Sequence, residues 1–397
     1  MDGTEEMNIY LKEQIAPRIA NGHPWIYDNE IAHSTGSLDP MGIADVFTHS
    51  KQFIGRGYYN PRSKIPVRLL TRRFEEIDES FIRRTIQKAL SYREKLPLAQ
   101  ECCRLFFGES DGIGGLIIDR YADVAVIQAN TLWVDQMKPA IVQALVDFIH
   151  PKAILEKSDH SSRRKEGLTT QIDWLFNSVS LPLQLSLEGL VWELDLIQAQ
   201  KTGFYLDQKE NAMIASRVVC PKGKSVLDTF CHTGNFGLRM LQAGASDITF
   251  VDQAENALQT LQRNARMNGF AEQTYFHGNA FDLLREWDRS GKKWDVVCLD
   301  PPSFTKSRSS RSNALRGYKE VNVRGLKLLR SGGYLVTSSC SQAVSREEFE
   351  MMIYSCISDL KIGLKLIHRG GQPQDHPIQM EIFETDYLKF YIFQKSD

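Results

Sequence analysis

From about residue 200 onward, short apolar segments alternate with stretches of helical spacing, and this rhythm constrains the fold more than any other feature of the chain. Ser225-Val-Leu-Asp228 ends a strand, residues 237–243 read as a helix, and Asp247 to Asp252 forms the next strand. Residues 256–268 are helical. Trp294-Asp-Val-Val-Cys-Leu-Asp300 is a near-continuous apolar run of the kind buried in parallel sheets. Residues 318–329 read as a further helix and residues 333–340 as a further strand. Repeated βαβ units predict an α/β, doubly wound, Rossmann-like sheet. Ligands of such sheets lie beyond the C-terminal ends of the strands, and the polar motifs of this half fall at those ends.

The 397 residues exceed what one ordinary core holds, and the first half has a different pattern. Residues 42–47, 53–59 and 67–70 look like strands separated by turns, which predicts a small β-barrel over residues 1–73. A helix over 77–96, strands at 116–119, 124–129 and 153–156, a helix over 134–148 and a strand pair turning at Glu188-Gly189 predict a middle α+β domain over 74–199. The third domain is then 200–397. No apolar run is long enough to cross a bilayer, and the acidic N-terminus is unlike a secretory signal. The seven cysteines have no metal-ligand spacing and suit a reducing, cytoplasmic setting. Net charge is −1, against indiscriminate polyanion binding. Residues 56–93 nevertheless hold ten basic and four acidic side chains, either a phosphate-facing surface or a solvated face.

The loop Asp228-Thr-Phe-Cys-His-Thr-Gly-Asn-Phe-Gly237 follows a strand and opens a helix, where glycines let backbone approach a ligand. Asp252 ends the next strand, in position to take two ribose hydroxyls. The loop lacks the G-x-G-x-x-G spacing of dinucleotide sites and carries a strand-end acid instead. That favours S-adenosylmethionine, which has no phosphate and bears an ammonium and a sulfonium. Asp228, Phe230, Gly234 and Asp252 are candidate cofactor contacts. Asn279 follows the third strand, either accepting from the adenine amino group or capping a helix.

Asp300-Pro-Pro-Ser-Phe304 ends the fourth strand, where the prolines stiffen the loop and a carboxylate can accept from an amino group of a base. Cys340 ends the fifth. A thiolate there could add to C6 of a pyrimidine and make C5 nucleophilic. Position alone reads equally well as a small buried hydrophobe. Residues 305–316, with Lys306, Arg308, Arg311 and Arg316 among serines, read as a flexible basic loop beside the site, either ordering on RNA or staying a disordered, solvated loop.

These motifs, together with Gly22-His-Pro-Trp-Ile-Tyr27, Gly57-Tyr-Tyr-Asn-Pro-Arg-Ser-Lys-Ile65, Arg104-Leu-Phe-Phe-Gly-Glu-Ser-Asp-Gly112 and Gln200-Lys-Thr-Gly-Phe-Tyr-Leu-Asp-Gln208, resemble the RlmI-like family of ribosomal RNA large-subunit methyltransferases over nearly the whole chain. The resemblance implies an N-terminal PUA domain, a middle α+β domain and a catalytic class I methyltransferase domain that makes 5-methylcytosine. It implies Cys340 as nucleophile, Asp300 as the base-orienting carboxylate, Gly234 and Asp252 as cofactor ligands, and Phe204 and Asp207 near the cofactor. Large-subunit ribosomal RNA is the implied partner, and a homodimer is left open. His232, Asn235 and Asn279 depart from the family pattern in the cofactor pocket. The alternatives are methylation of another base or an exocyclic amine, and a non-catalytic RNA-binding assembly factor.

Overall fold

The computed structural model describes residues 7–36, 42–97, 101–305 and 310–396. The chain divides into two compact units, each of more than one segment. Unit 1 holds Met1–Pro182, Asp195–Phe204 and Gln374–Thr385; unit 2 holds Leu183–Leu194, Tyr205–Pro373 and Asp386–Asp397.

Unit 1 begins with β1 (Met7–Leu11), α1 (Pro17–Ala20), β2 (Trp25–Ile26), β3 (Ile31–Thr35), β4 (Ile43–Phe47), β5 (Phe53–Tyr59) and β6 (Val67–Thr71). They form a six-stranded sheet ordered β2-β6-β5-β4-β1-β3 around Ile9, Ile26, Val46 and Val67. Gly57 has no substitute here: a Cβ would stand 2.1 Å from the Arg68 carbonyl oxygen on β6. Next come α2 (Glu79–Arg93), capped by Asp78, then β7 (Cys102–Phe107), β8 (Leu116–Tyr121), β9 (Val124–Ala129), α3 (Leu132–Gln136), α4 (Lys138–Ile149), β10 (Ala153–Ser158) and β11 (Gln171–Phe176). The five strands are ordered β11-β10-β9-β8-β7, with Ile82, Ile86 and Leu90 of α2 in the core beside Ile118 and Ile127. The single helix expected over 134–148 is two. Pro139, second residue of α4, has no N–H to extend a helix running in from Trp133, so the chain breaks at Met137.

The later segments of unit 1 are tied in by buried polar contacts. Thr202 Oγ1 donates to Asp119 at 2.5 Å, and the Phe204 N–H donates to Tyr121 Oη at 3.0 Å. Asp375 accepts from the Arg104 N–H at 3.2 Å, and its carbonyl accepts from Arg93.

Unit 2 opens with the hairpin β12 (Leu183–Leu187) and β13 (Leu190–Leu194). It continues through α5 (Lys209–Val219), β14 (Ser225–Thr229), α6 (Asn235–Gln242), β15 (Asp247–Asp252), α7 (Glu255–Met267), β16 (Thr274–His277), α8 (Ala280–Ser290), β17 (Trp294–Leu299), α9 (Arg311–Leu328), β18 (Leu329–Ser339), α10 (Arg346–Leu360), β19 (Leu364–Gly370) and β20 (Lys389–Lys395). The seven-stranded sheet is ordered β16-β15-β14-β17-β18-β20-β19. Pairings from β16 to β18 are parallel; β20 is antiparallel to β18 and to β19. Order reverses between β14 and β17, which places the crevice for a ligand at their C-terminal ends. The hairpin packs on the outside of this sheet: Arg239 of α6 donates to the Leu187 and Glu188 carbonyls, both at 2.8 Å, and Asn264 of α7 accepts from the Glu193 N–H at 2.8 Å.

The basic loop expected at 305–316 requires correction. Lys306 and Arg308 lie outside the described residues, but Arg311 and Arg316 belong to α9, and Arg311 pairs with Glu348 at 3.0 Å. No helix among the described residues is long and apolar enough to cross a membrane.

Candidate active site

The sheet collects the expected residues of unit 2 at one end. Asp228 sits in β14, Asp252 closes β15, Asn279 follows β16, Asp300 follows β17 and Cys340 follows β18. Adjacent parallel strands in register put their C-terminal tips side by side, so residues far apart in sequence line one crevice.

The loop between β14 and α6 is tightly built. Phe230 and His232 both take the left-handed region, at φ 59° and 47°, and Gly234 follows at 93°. Asp252 holds the loop from below: its Oδ2 accepts from the His232 N–H and its Oδ1 from the Ala254 N–H, each at 2.8 Å. Asp228 is buried, with Oδ2 accepting from the Gly237 N–H at 2.8 Å. The glycines make room for protein packing. A Cβ on Gly234 would meet Leu261 Cδ1 at 2.2 Å, and one on Gly237 would meet Phe250 Cε1 at 2.1 Å. On the protein side these glycines seat the loop on α7 and β15. Phe230 packs its ring edge-on to Phe281, centroids 6.2 Å apart.

Burial pushes the Asp228 carboxyl up to about 8, and Asp300 and Asp252 add to the effect against the lowering bond from Gly237. Burial likewise raises the Tyr205 hydroxyl far above its usual range, with Asp300, Asp207, Cys340 and Asp252 all contributing. Tyr205 therefore stands within electrostatic reach of three acids and the thiol. Its ring meets that of His232 edge-on at 4.9 Å. Neither Asp228 nor Asp252 has an ion-pair partner among the described residues. Asn235, the first residue of α6, has both amide atoms buried without a hydrogen-bond partner. A desolvated acid, Asp228, and an orphaned amide at a helix start fit a cationic, polar ligand such as S-adenosylmethionine.

Asp300 Oδ1 accepts from Gln208 Nε2 at 2.8 Å and from Ser338 Oγ. The Cys340 thiol is partly exposed, unlike Cys231 and Cys298, which are buried. It lies 4.0 Å from the Pro301 carbonyl oxygen, next to Asp300 in sequence. Asp207 is buried and accepts from Tyr387 Oη at 2.9 Å. Phe204 belongs to unit 1, and its backbone bonds Tyr121 there. Asn279 is exposed and caps α8 through its oxygen, 2.9 Å from the Phe281 N–H, which is the capping alternative. Sequence reasoning missed Tyr205, Gln208 and Lys389. The first two stand inside the quoted Gln200–Gln208 segment and could have been found there. Lys389 has no motif to mark it.

Half of the basic run of unit 1 is spent internally. Arg56 pairs with Asp45, Arg68 with Glu166, Arg83 with Asp147, Arg84 with Glu75 and Arg93 with Asp111. Arg62, Lys64, Arg72, Arg73 and Lys88 are exposed and in no ion pair among the described residues. Arg72 and Lys88 line a cleft of about 570 Å³ in unit 1 with Trp25 and Tyr92, a cavity that holds none of the strand-end acids.

A doubly wound sheet with one antiparallel strand next to its last edge, carrying strand-end acids over a glycine loop, defines the class of S-adenosylmethionine-dependent methyltransferases. Residues 162–374 match that family, described as S-adenosylmethionine-dependent methyltransferase, and residues 9–72 match the PUA-like domain. A ribosomal RNA large subunit methyltransferase I of Shewanella denitrificans is 38% identical over 96% of this chain and 98% of its own length. One of Alteromonas mediterranea is 33% identical over 94% and 95%. A putative S-adenosylmethionine-dependent methyltransferase from Streptococcus mutans shares the fold across 98% of this chain and 99% of its own, with a TM-score of 0.83 at 18% identity. The chain belongs to the ribosomal RNA large subunit methyltransferase I family, and its cofactor is S-adenosylmethionine.

Proposed function

We propose that the protein methylates C5 of a cytosine in large-subunit ribosomal RNA, in the cytoplasm, through a covalent adduct between Cys340 and C6. The observation that carries this reading is a partly exposed thiol at the tip of β18, 4.0 Å from the Pro301 carbonyl of the Asp300-Pro-Pro segment. Methylation of an exocyclic amine needs no thiol at that place.

The cofactor would rest on Asp252, Asp228 and the 230–235 loop, with Asp207 beside it; bound there, it supplies an electrophilic methyl group. Asp300, held by Gln208 and Ser338, accepts from the amino group of the base and orients it. The Cys340 thiolate adds to C6, forming a C–S bond and moving the C5–C6 π electrons onto C5. Once C5 carries the methyl group, loss of its proton restores the double bond and expels the thiolate. In this division of labour residues 1–73 bind RNA, and the catalytic sheet of unit 2, with the hairpin 183–194 packed on its helices, carries the reaction.

The test is transfer of labelled methyl to large-subunit RNA by wild type and by Cys340→Ala, with nucleoside analysis. 5-Methylcytosine from wild type and none from the variant is the expected result. Full activity of the variant, or an N-methylated product, overturns the reading.

A further inference from the structure

A thiol at pH 7 is mostly protonated unless something near it favours the anion. The structure offers such a group from outside the motifs. Lys389 opens β20, and its Cα pairs across the antiparallel ladder with Ser339. Its Nζ donates to the Ser341 carbonyl at 2.7 Å and to the Tyr387 carbonyl at 2.9 Å. The side chain thus runs from opposite Ser339 to the Ser341 carbonyl, one residue beyond Cys340, and Nζ lies within electrostatic range of the Cys340 thiol. It is 2% exposed and has no carboxylate in ion-pair range among the described residues. A buried ammonium held by two neutral carbonyls is costly, and this one sits at the Ser341 carbonyl just past the β18 tip.

We propose that Lys389 is a positioning residue for Cys340: its buried ammonium stabilises the thiolate that attacks the base. The inference rests on the proposed role of Cys340 as nucleophile. In the step, the S–H bond breaks, the proton passes to water, and the electron pair stays on Sγ beside an ammonium that keeps its three protons. Burial lowers Lys389 to about 8, and the Cys340 charge is the largest opposing influence; Asp386 and Glu348 also favour the ammonium, while Arg346 opposes it. Tyr205 and Tyr318 lie within electrostatic reach of the thiol, both raised chiefly by burial, Tyr318 to about 12, so neither is anionic near neutrality, while Asp300, beside Pro301, is the acid that opposes the thiolate. Lys389 is therefore a cation within electrostatic reach of the nucleophile, and its help fades above about pH 8 as it loses its proton.

The test alkylates the full-length protein with iodoacetamide across pH 6–10 and follows Cys340 by peptide mass spectrometry, with exposed Cys220 as internal control. Lys389→Met should slow Cys340 alkylation at pH 7 by about tenfold and leave Cys220 unchanged. The deficit should close toward pH 9–10, and kcat for methyl transfer should follow the same profile with KM for RNA unmoved. Lys389→Arg should restore most of both. If Lys389→Met does not fold, Lys389→Gln provides the same comparison. An unchanged Cys340 profile in a folded neutral variant overturns the proposal, as does an activity loss equal at every pH. Alkylation reports the thiol–lysine pair and nucleoside analysis reports the reaction, so the two readings can fail separately.

Discussion

At the scale of single residues, the site places unfavourable groups where a ligand would relieve them. Asp228 is the sharpest case. Its carboxyl is raised from the usual 3.8 to about 8, so the folded protein holds a proton that the unfolded chain has released. Folding stability then falls as pH rises from about 4 to 8, because ionising this group is penalised only in the folded state. Asp228→Asn keeps an acceptor for the Gly237 N–H and removes the penalty. The variant without cofactor should melt higher than wild type at pH 8, by at least about 1 kcal/mol of stability, and match it near pH 4. It should also bind S-adenosylmethionine at least about tenfold more weakly if the carboxylate serves the cofactor's cation. Thermal melts at the two pH values and a cofactor titration check both; a variant no more stable at pH 8 would refute the desolvation account. Strand-end acids were legible from their positions alone. The environment of Asp228 was not, because it depends on Phe250 and on the helix start packed over it. Lys389 was illegible for a related reason: only the pairing of β20 with β18 brings it beside Cys340.

At the scale of elements, periodicity identified the parallel strands well because each is a continuous apolar run. It failed where a single residue sets a boundary. Pro139 divides one expected helix into two, and α9 begins at Arg311, where serines suggested a loop. Charge along a segment was the least reliable guide. Five of the ten basic residues between Arg56 and Arg93 are held in ion pairs within unit 1. RNA binding should therefore depend on the unpaired set. Neutralising Arg62, Lys64, Arg73 and Lys88 together should weaken RNA binding and flatten its salt dependence, by about 0.7 in log–log slope for each phosphate no longer neutralised. Neutralising the ion-paired Arg83 and Arg84 should change that slope little. Equal slopes for the two variants, measured by binding titrations across roughly 50 to 200 mM salt, would sink the distinction. The glycine loop adds a stability prediction. Gly234→Ala meets both a left-handed backbone and Leu261 at 2.2 Å, and should cost at least about 1–3 kcal/mol in denaturant unfolding.

At the scale of the whole molecule, the chain does not change units once but several times. The hairpin β12–β13 precedes residues 195–204 in sequence, yet it packs with unit 2 while those residues pack with unit 1. No sequence pattern announces this, since a hairpin looks the same whichever core covers it. The physical cause lies in its partners: Arg239 and Asn264 meet its backbone, and Leu185, Leu187, Leu190 and Trp192 are buried. Residues 195–204 and 374–385 are held instead by Asp119, Tyr121, Arg93 and Arg104. Cooperative unfolding should follow these contacts and not sequence order. In native-state hydrogen exchange, the amides of 183–194 should open together with α6 and α7, and those of 200–204 with β8. Saturating S-adenosylmethionine sharpens the test. A ligand at about a hundred times its Kd stabilises what it binds by about 2.7 kcal/mol, and that added protection should reach 183–194 at the same free energy as β14 and β15. If 183–194 exchanged with β7–β11 and ignored the cofactor, the hairpin would belong energetically to the middle sheet, and the bonds through Arg239 and Asn264 would be surface decoration.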